Sequence, residues 1–151
     1  MSDVVPGPAV FRPAAPGDAV ALTGLERDAN LVALAHVFPD VPYPEDDVRA
    51  RWLRVLAEPA VRVEVCGPPD LLDAYVCWDE QTLRHLAVRP SQWGTGLARR
   101  AVERAVGVTR LWCLVDNGRA RGLYEHLGWR PTGREGAAEW PPYPREMEYA
   151  R

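Results

Sequence analysis

Lysine is absent from the 151-residue sequence, and all 18 basic residues are arginine. Also absent is any apolar run of the roughly 20 residues that a membrane-spanning helix requires, so we expect no membrane association. The residues after Met1 do not form a basic segment followed by an apolar one, which predicts no signal peptide and a cytoplasmic location. There is no internal repeat and no low-complexity tract, so a globular domain is expected.

Cysteine is nearly absent as well. Cys66, Cys77 and Cys113 are the only three, and their spacing does not match that of a metal site. All three fall in strand-like segments, which predicts buried thiols in a reducing compartment and no bound metal. Cys66 and Cys77 could face each other across a hairpin, but no disulfide is predicted.

The charges that are present divide the chain into two parts. Residues 1–80 contain 14 acidic residues and 6 arginines, whereas residues 84–134 contain 10 arginines and three acidic residues. This division suits a protein that holds an anionic cofactor on one side and a cationic substrate on the other, although solvated helix faces would give the same pattern. The acidic overall pI of about 5.6, with no exposed aromatic residues expected among the arginines, argues against nucleic acid as a partner.

The periodicity of apolar residues predicts one α/β domain over 10–151, preceded by a loose tail over 1–9. The predicted order is β-α-α-β-β-β-α-β-α-β-β, in which the strands between 61 and 88 form an antiparallel meander. Asp18 is predicted to cap the first helix, and a long loop is expected over 133–145. Strands are predicted over 10–13, 61–66, 71–78, 83–88, 110–115, 129–132 and 146–149, and helices over 19–30, 47–58, 97–106 and 119–127.

A glycine turn between a strand and a helix is the first motif with chemical meaning. The strand ends before Pro90, Gly94 and Gly96 allow unusual backbone angles, and a helix begins at Leu97. Free amides at such a helix start suit a phosphate, although many glycines in this position only turn the chain. The turn lacks the Lys-Ser/Thr of a P-loop and the third glycine of a dinucleotide-binding fingerprint.

A second motif lies about twenty residues further on, where a strand leads into Asn117 and a helix carries Tyr124 seven residues later. At helical spacing Asn117, Ala120 or Arg121, and Tyr124 share one face. Together with the pattern from Val88 to Ala98, this segment resembles the GNAT superfamily of N-acetyltransferases. The resemblance extends from about residue 11 to residue 149 and implies a mixed, mostly antiparallel central sheet flanked by helices.

The resemblance implies acetyl-CoA as the cofactor, lying where the fourth and fifth strands separate. The fourth strand would offer backbone groups to pantetheine and the acetyl carbonyl, the glycine turn would hold the pyrophosphate, and Asn117 would bind the pantetheine side. Arg121 is a weaker candidate for the adenosine phosphates. The implied cofactor-binding residues are Leu86, Ala87, Val88, Gly94, Thr95, Gly96, Leu97, Ala98, Arg99, Asn117 and Arg121.

Tyr124 is implied to be the general acid that protonates the leaving thiolate, and a backbone N–H near Ala87 or Val88 would stabilise the oxyanion. Two structural alternatives remain: Tyr124 as a core residue and Asn117 as a turn residue. Trp93 departs from the family pattern, because the family usually has Gln or Arg at that position. Its presence implies a shifted affinity for the cofactor.

The acceptor is implied to be a primary amine on a small molecule or peptide, bound between the first two helices and the last loop. Tyr43, Trp140 and Tyr143 are predicted to line this pocket. A base for the amine is left unassigned among Glu26, Asp28, Glu80 and His85. Members of the family are often dimers, so the resemblance allows a homodimer, but the sequence itself does not indicate the oligomeric state.

Two other classes of function compete with the enzyme. One is a non-catalytic acyl-CoA-binding domain that senses the cofactor or binds a partner. The other is a binder of a different phosphate-containing cofactor that uses the same strand, turn and helix. The presence of Tyr124 favours the enzyme over the sensor.

Overall fold

A computed structural model of the protein describes residues 9–151, so the predicted tail over 1–9 lies, apart from Ala9, outside the described residues. The elements in the described part follow the predicted order. They are β1 (Phe11–Pro13), α1 (Ala19–Ala33), α2 (Glu45–Leu56), β2 (Arg62–Cys66), β3 (Ala74–Trp78), β4 (Thr82–Val88), α3 (Leu97–Arg104), β5 (Arg110–Leu114), α4 (Gly118–His126), β6 (Arg130–Ala137) and β7 (Arg145–Ala150).

The seven strands form one sheet in the order β1-β2-β3-β4-β5-β7-β6. Neighbouring strands run antiparallel except β4 and β5, which are parallel. The mixed, mostly antiparallel sheet flanked by helices is therefore confirmed. A parallel pair needs a crossover connection, and α3 supplies it.

The parallel pair is joined only at one end. Thr82 pairs with Arg110 and Leu83 with Leu111, and no pairing continues along the rest of the two strands. Because β4 continues to Val88 and β5 to Leu114, their carboxyl ends leave an opening in the middle of the sheet. This opening is the feature of the fold that positions the candidate site.

Both faces of the sheet are covered by helices. α1 and α2 pack on one face, where Trp52 and Tyr75 are fully enclosed. α3 and α4 pack on the other face, around Trp129 and Tyr149. We call the first the α1/α2 face and the second the α3/α4 face. Within residues 9–151, no helix combines the length and apolar character needed to cross a bilayer.

The loop predicted over 133–145 is shorter than expected, and this part of the prediction is wrong. Gly133 has a φ of 90°, and the pairing with β7 shifts register between Pro131 and Glu135. After this irregularity β6 resumes and extends to Ala137. The glycine therefore produces a bulge, which lets one strand continue, and does not end the strand.

Two further predictions need correction. Asp18 does not cap α1, because its carboxylate accepts hydrogen bonds from the Ala15 amide at 2.8 Å and from the Arg12 guanidinium at 2.8 and 3.0 Å. Cys66 and Cys77 do not face each other across the β2–β3 hairpin, because Cys77 lies opposite Val63. All three cysteines are free and buried, as predicted.

Candidate active site

The turn after β4 concentrates backbone N–H groups that have no acceptor in the described residues. Gly94 and Gly96 have φ values of 82° and 84°, in the region that favours glycine. The amides of residues 94–99 donate to no carbonyl or side chain within 9–151, and the first bond of α3 runs from the Arg100 amide to the Gly96 carbonyl at 3.2 Å. The turn thus has the donors and the positive helix end that an anionic phosphate needs.

The other predicted residues of the turn have distinct positions. Leu97 is buried and anchors the start of α3. Thr95 donates its hydroxyl to the Gln92 carbonyl at 2.7 Å, which stabilises the turn itself. Arg99 lies on the first turn of α3, where it is exposed and pairs with Glu103 at 3.1 Å.

Trp93 is held in place by two contacts. Its indole N–H donates to the Val88 carbonyl at 2.9 Å. The guanidinium of Arg119, at the start of α4, lies 3.8 Å from the centre of its ring. This cation–π contact places a positive charge beside the glycine turn, where the family pattern predicts a polar side chain from residue 93 itself.

A cavity of about 190 Å³ passes through the opening between β4 and β5. Its walls come from both faces of the sheet, so it connects the α3/α4 face with the α1/α2 face. Leu86, Asn117 and Tyr124, three of the predicted site residues, line it. The remaining lining residues are Glu26, Asn30, Tyr75, Leu83, Arg84, His85, Trp112, Cys113, Leu114, Ala120 and Glu146.

Tyr124 is buried but its hydroxyl has no hydrogen-bond partner among the described residues, although it lines the cavity. Its ring packs edge-on against Trp129, with centroids 6.5 Å apart, and tilted against Tyr149 at 6.3 Å. Burial, followed by the nearby Cys113, raises the pKa of Tyr124 above its usual value. The phenol therefore keeps its proton and has it available for donation.

Asn117 and Arg121 both have structural partners. The Asn117 side chain accepts the Ala120 amide at 3.2 Å and so caps α4. Arg121 donates to the Tyr149 hydroxyl and to the Val115 carbonyl, each at 3.1 Å. Arg121 thus fastens α4 to the sheet, whereas the guanidinium beside the glycine turn belongs to Arg119.

A larger cavity, of about 640 Å³, lies on the α1/α2 face. It is bounded by α1, α2, the loop between them and the 138–141 segment. Of the three residues predicted for the acceptor pocket, Tyr43 and Trp140 line this cavity, whereas Tyr143 is 58% exposed and lies outside its lining. The apolar part of the wall comes mainly from Leu31, Leu34, Phe38, Val41 and Trp112.

A buried carboxylate, that of Glu26, is fixed at the floor of the two cavities. Arg51 donates to both of its oxygens, at 2.6 and 2.8 Å, and the hydroxyls of Tyr43 and Tyr75 donate at 3.1 and 3.2 Å. Burial would lower the pKa of Arg51, but the adjacent Glu26 charge raises it above the usual value. The Arg51 guanidinium therefore keeps its charge beside Glu26, which lines both cavities.

Of the remaining base candidates, only His85 lines the two cavities. His85 lines both cavities, and burial, with the charges of Arg51 and Arg84, lowers its pKa to about 3. Asp28 pairs with Arg27 and Arg89. Asp28 and the exposed Glu80 line neither cavity.

Sequence reasoning missed three residues of this region: Arg51, Arg119 and Glu146. The sequence indicates only that Arg51 is a polar residue of a predicted helix, and nothing in it places Arg51 beside Glu26. Arg119 lies within the second motif, two residues before Arg121. Its positive charge at the start of the helix is the signal that could have identified it. Glu146 was included only as the start of a closing strand.

A sequence profile of the acetyltransferase (GNAT) family matches residues 72–129, a segment that contains β3, β4, α3, β5 and α4. It therefore includes both motifs, the glycine turn and the opening between β4 and β5. No curated protein matches the sequence.

Solved acetyltransferase structures share the fold across almost the whole chain. An acetyltransferase from Thermus thermophilus is 23% identical, with a TM-score of 0.68 over 95% of this chain and 96% of its own. The PaiA N-acetyltransferase from Thermoplasma acidophilum, in complex with coenzyme A, is 13% identical, with a TM-score of 0.69 over 100% of both chains. YncA from Salmonella typhimurium, solved with its cofactor acetyl-CoA, is 18% identical, with a TM-score of 0.65 over 93% and 91%.

At these identities the structures establish the fold alone, and the profile match concerns the segment that carries the two motifs. Residues 72–129 match the GNAT acetyltransferase family, and the described chain has the fold of its solved members, which confirms the resemblance that the two motifs indicate.

Proposed function

We propose that this protein is an N-acetyltransferase that moves an acetyl group from acetyl-CoA directly to a primary amine. The observation that carries the proposal is the cavity through the opening between β4 and β5. It has Tyr124 on the α3/α4 face and shares part of its wall with the larger cavity on the α1/α2 face. A thioester held in this opening would have an acid on one side and room for an amine on the other.

The residues present fit coenzyme A. The unsatisfied amides of 94–99 would hold the pyrophosphate, with Arg99 on the first turn of α3 and the Arg119 guanidinium over the Trp93 ring as nearby cations. The backbone of β4 beyond Leu83, which has no partner on the β5 side, would hold the pantetheine arm. Acetyl-CoA supplies the activated acyl group, and the chain itself needs only to bind, orient and move protons.

Two groups of the chain would assist the chemistry. A backbone N–H of Ala87 or Val88 would stabilise negative charge on the carbonyl oxygen. Tyr124 would give its proton to the departing sulfur, a modest task because thiolates are good leaving groups. The high pKa of Tyr124 keeps the phenol protonated at neutral pH, which this role requires.

Calorimetric titration with CoA and acetyl-CoA, followed by a thiol-release assay over a panel of amines, tests the proposal. We expect binding of both and thiol release that depends on the amine. Binding without thiol release for any amine would favour the sensor function, and no binding would contradict both.

Replacement of Tyr124 by Phe tests the proton donor. We expect at least a tenfold lower kcat with the acetyl-CoA affinity changed by less than about twofold, since the hydroxyl acts only in the transition state. Tyr143→Phe is a matched comparison, because Tyr143 lies outside both cavities. Full activity of Tyr124→Phe would remove the acid role, and a loss in Tyr143→Phe would restore the acceptor role predicted for that residue.

A further inference from the structure

Only a few proton-accepting side chains are positioned to reach both the thioester and the amine. The two cavities share eight lining residues: Glu26, Asn30, Leu83, Arg84, His85, Trp112, Leu114 and Glu146. Of these, Glu26, His85 and Glu146 can take up a proton. A general base for an amine attacking in the opening should be one of the three, since it must lie within hydrogen-bond reach of that nitrogen.

Glu26 and His85 are poorly suited to the task. Both carboxylate oxygens of Glu26 are already engaged, by Arg51 and by two tyrosine hydroxyls. His85 packs edge-on against Trp52, with ring centroids 5.5 Å apart, and two arginine charges oppose its protonation. A proton placed on either group would disrupt existing interactions or be held very weakly.

Neither of the two conditions that disfavour Glu26 and His85 applies to Glu146. It lies on β7 opposite Leu114 of β5, the strand that borders the opening. On β7, Met147 and Tyr149 pack into the core of the α3/α4 face, so alternation puts Glu146 and Glu148 on the α1/α2 face. Glu148 is bound by Arg110, Arg134 and Thr132, whereas the carboxylate of Glu146 has no hydrogen bond or ion pair in the described residues.

On the basis of the acetyltransferase function proposed above, we propose that Glu146 is the general base that accepts the proton of the attacking amine. It lies on the acceptor side of the opening, and Tyr124 lines the same opening from the other face of the sheet. Acid and base would then act on opposite sides of the reacting carbon, and the acceptor would enter from the larger cavity.

The proton and bond changes balance. Glu146 takes one proton from the ammonium form of the acceptor, and the neutral nitrogen forms the C–N bond with the acetyl carbon. The C–S bond breaks, and the sulfur takes the Tyr124 proton. The nitrogen then loses its second proton to solvent, while Glu146 and Tyr124 return to their starting states by exchange with solvent. The products are an amide and free CoA thiol.

The surroundings of Glu146 favour this role. Burial, and then the charge of Glu139, raise the pKa of Glu146 above its usual value, which makes it a better base than an exposed glutamate. The one cation of the shared wall, Arg84, is paired with Asp79 and Glu58. The other ionisable groups lining the larger cavity are Glu26 on α1, Tyr43 between α1 and α2, Asp47 and Arg51 on α2, Arg84 and His85 on β4, and Glu139 in the last loop. The smaller cavity adds Tyr75, Cys113 and Tyr124.

Glu146→Gln keeps the shape of the side chain and removes its ability to accept a proton. The assay is thiol release from acetyl-CoA between pH 6 and 10, with the fastest acceptor among phenethylamine, putrescine, phenylalanine and a short peptide. We expect kcat/KM for the amine to fall about 100-fold at pH 7, with an unchanged calorimetric Kd for acetyl-CoA. This reduction in kcat/KM should become smaller toward pH 10, because about half of an amine with a pKa of about 10 is then neutral without help.

Glu80→Gln is the control, because it makes the same chemical change at an exposed residue that lies outside both cavities. Glu146→Asp should retain the wild-type pH profile at a reduced rate. The assignment would be overturned if Glu146→Gln lowered kcat/KM for the amine less than threefold at every pH. It would also be overturned if the reduction in kcat/KM did not change with pH. In either case an active wild type would leave the acetyltransferase function standing, whereas a wild type that releases no thiol would contradict that function itself.

Discussion

Among single residues, His85 links the site to the stability of the fold. Burial and the charges of Arg51 and Arg84 lower its pKa to about 3, whereas an unfolded histidine titrates near 6.5. Between these values the unfolded chain binds a proton that the folded chain does not. The stabilising effect of a neutral His85 is therefore complete above pH 6.5 and is lost as the pH falls toward 3, by about 2 kcal/mol at pH 5.

Urea unfolding at pH 7 and pH 5 measures this effect. From pH 7 to pH 5 we expect the free energy of unfolding to fall by about 2 kcal/mol more for wild type than for His85→Gln, because the variant cannot bind the proton. His126→Gln, a change at the exposed end of α4, should retain the wild-type pH dependence. Equal losses for wild type and His85→Gln would show that His85 does not titrate abnormally.

How much of the site the sequence predicts depends on whether a residue acts through local chain geometry. Gly94, Gly96 and Tyr124 were predictable because turns and helical spacing are local properties. Arg51 and Glu146 were not, because each acts beside a residue more than 20 positions away in the sequence. Arg119 was within the motif, but only the packing of α4 against Trp93 distinguishes it from Arg121.

At the level of elements, the glycine turn before α3 depends on a backbone conformation that favours glycine. Gly96 has a φ of 84°, and a methyl group added there would meet no atom within 4 Å. Gly96→Ala should therefore lower the free energy of unfolding by about 1–2 kcal/mol through backbone strain alone. We expect at least a tenfold weaker binding of CoA, because the free amides of 94–99 would change direction.

Gly122→Ala provides the matched control. Gly122 lies within α4, has space for a methyl group and has no positive φ. Alanine there should stabilise the protein by up to about 1 kcal/mol and leave CoA binding unchanged, since it is the better helix former. Denaturant unfolding and calorimetry on both variants check the pair. Unimpaired CoA binding by Gly96→Ala would contradict the role of the turn.

The elements themselves follow from the sequence more completely than the opening between them. Helices and strands appear in the predicted order because apolar periodicity reports local burial. The end of β6 was missed because a glycine at a bulge and a glycine at a strand end look alike in sequence. The early separation of β4 from β5 depends on pairing between strands, and it was expected only through family resemblance.

At the scale of the whole molecule, charge is divided between the two sides of the opening. On the cofactor side, Arg99 and Arg119 lie beside the unsatisfied amides of the glycine turn. On the acceptor side, the larger cavity is lined by Asp47, Glu139 and Glu146, none of which forms an ion pair within residues 9–151. Of these three acids only Asp47 comes from the acidic part of the sequence over 1–80, whereas both arginines come from the basic part over 84–134.

This separation predicts the charge of the acceptor. Phenethylamine and phenylalanine share an amine and an apolar body that suits the wall formed by Leu34, Phe38 and Trp112. The carboxylate of phenylalanine would face Asp47 and Glu139, so we expect at least a tenfold higher kcat/KM for phenethylamine. Putrescine, with a second cation, should show a KM that rises with salt, because part of its attraction is screened at a Debye length of about 8 Å in 0.15 M salt.

Asp47→Asn tests whether the cavity causes this preference, since Asp47 is exposed at the cavity wall and contributes charge without packing. The variant should discriminate less between phenethylamine and phenylalanine, and its KM for putrescine should depend less on salt. Its kcat with phenethylamine should stay near that of wild type, because proton transfer is assigned to Glu146. A preference for phenylalanine, in wild type or in the variant, would mean that the carboxylates of this cavity do not select the acceptor.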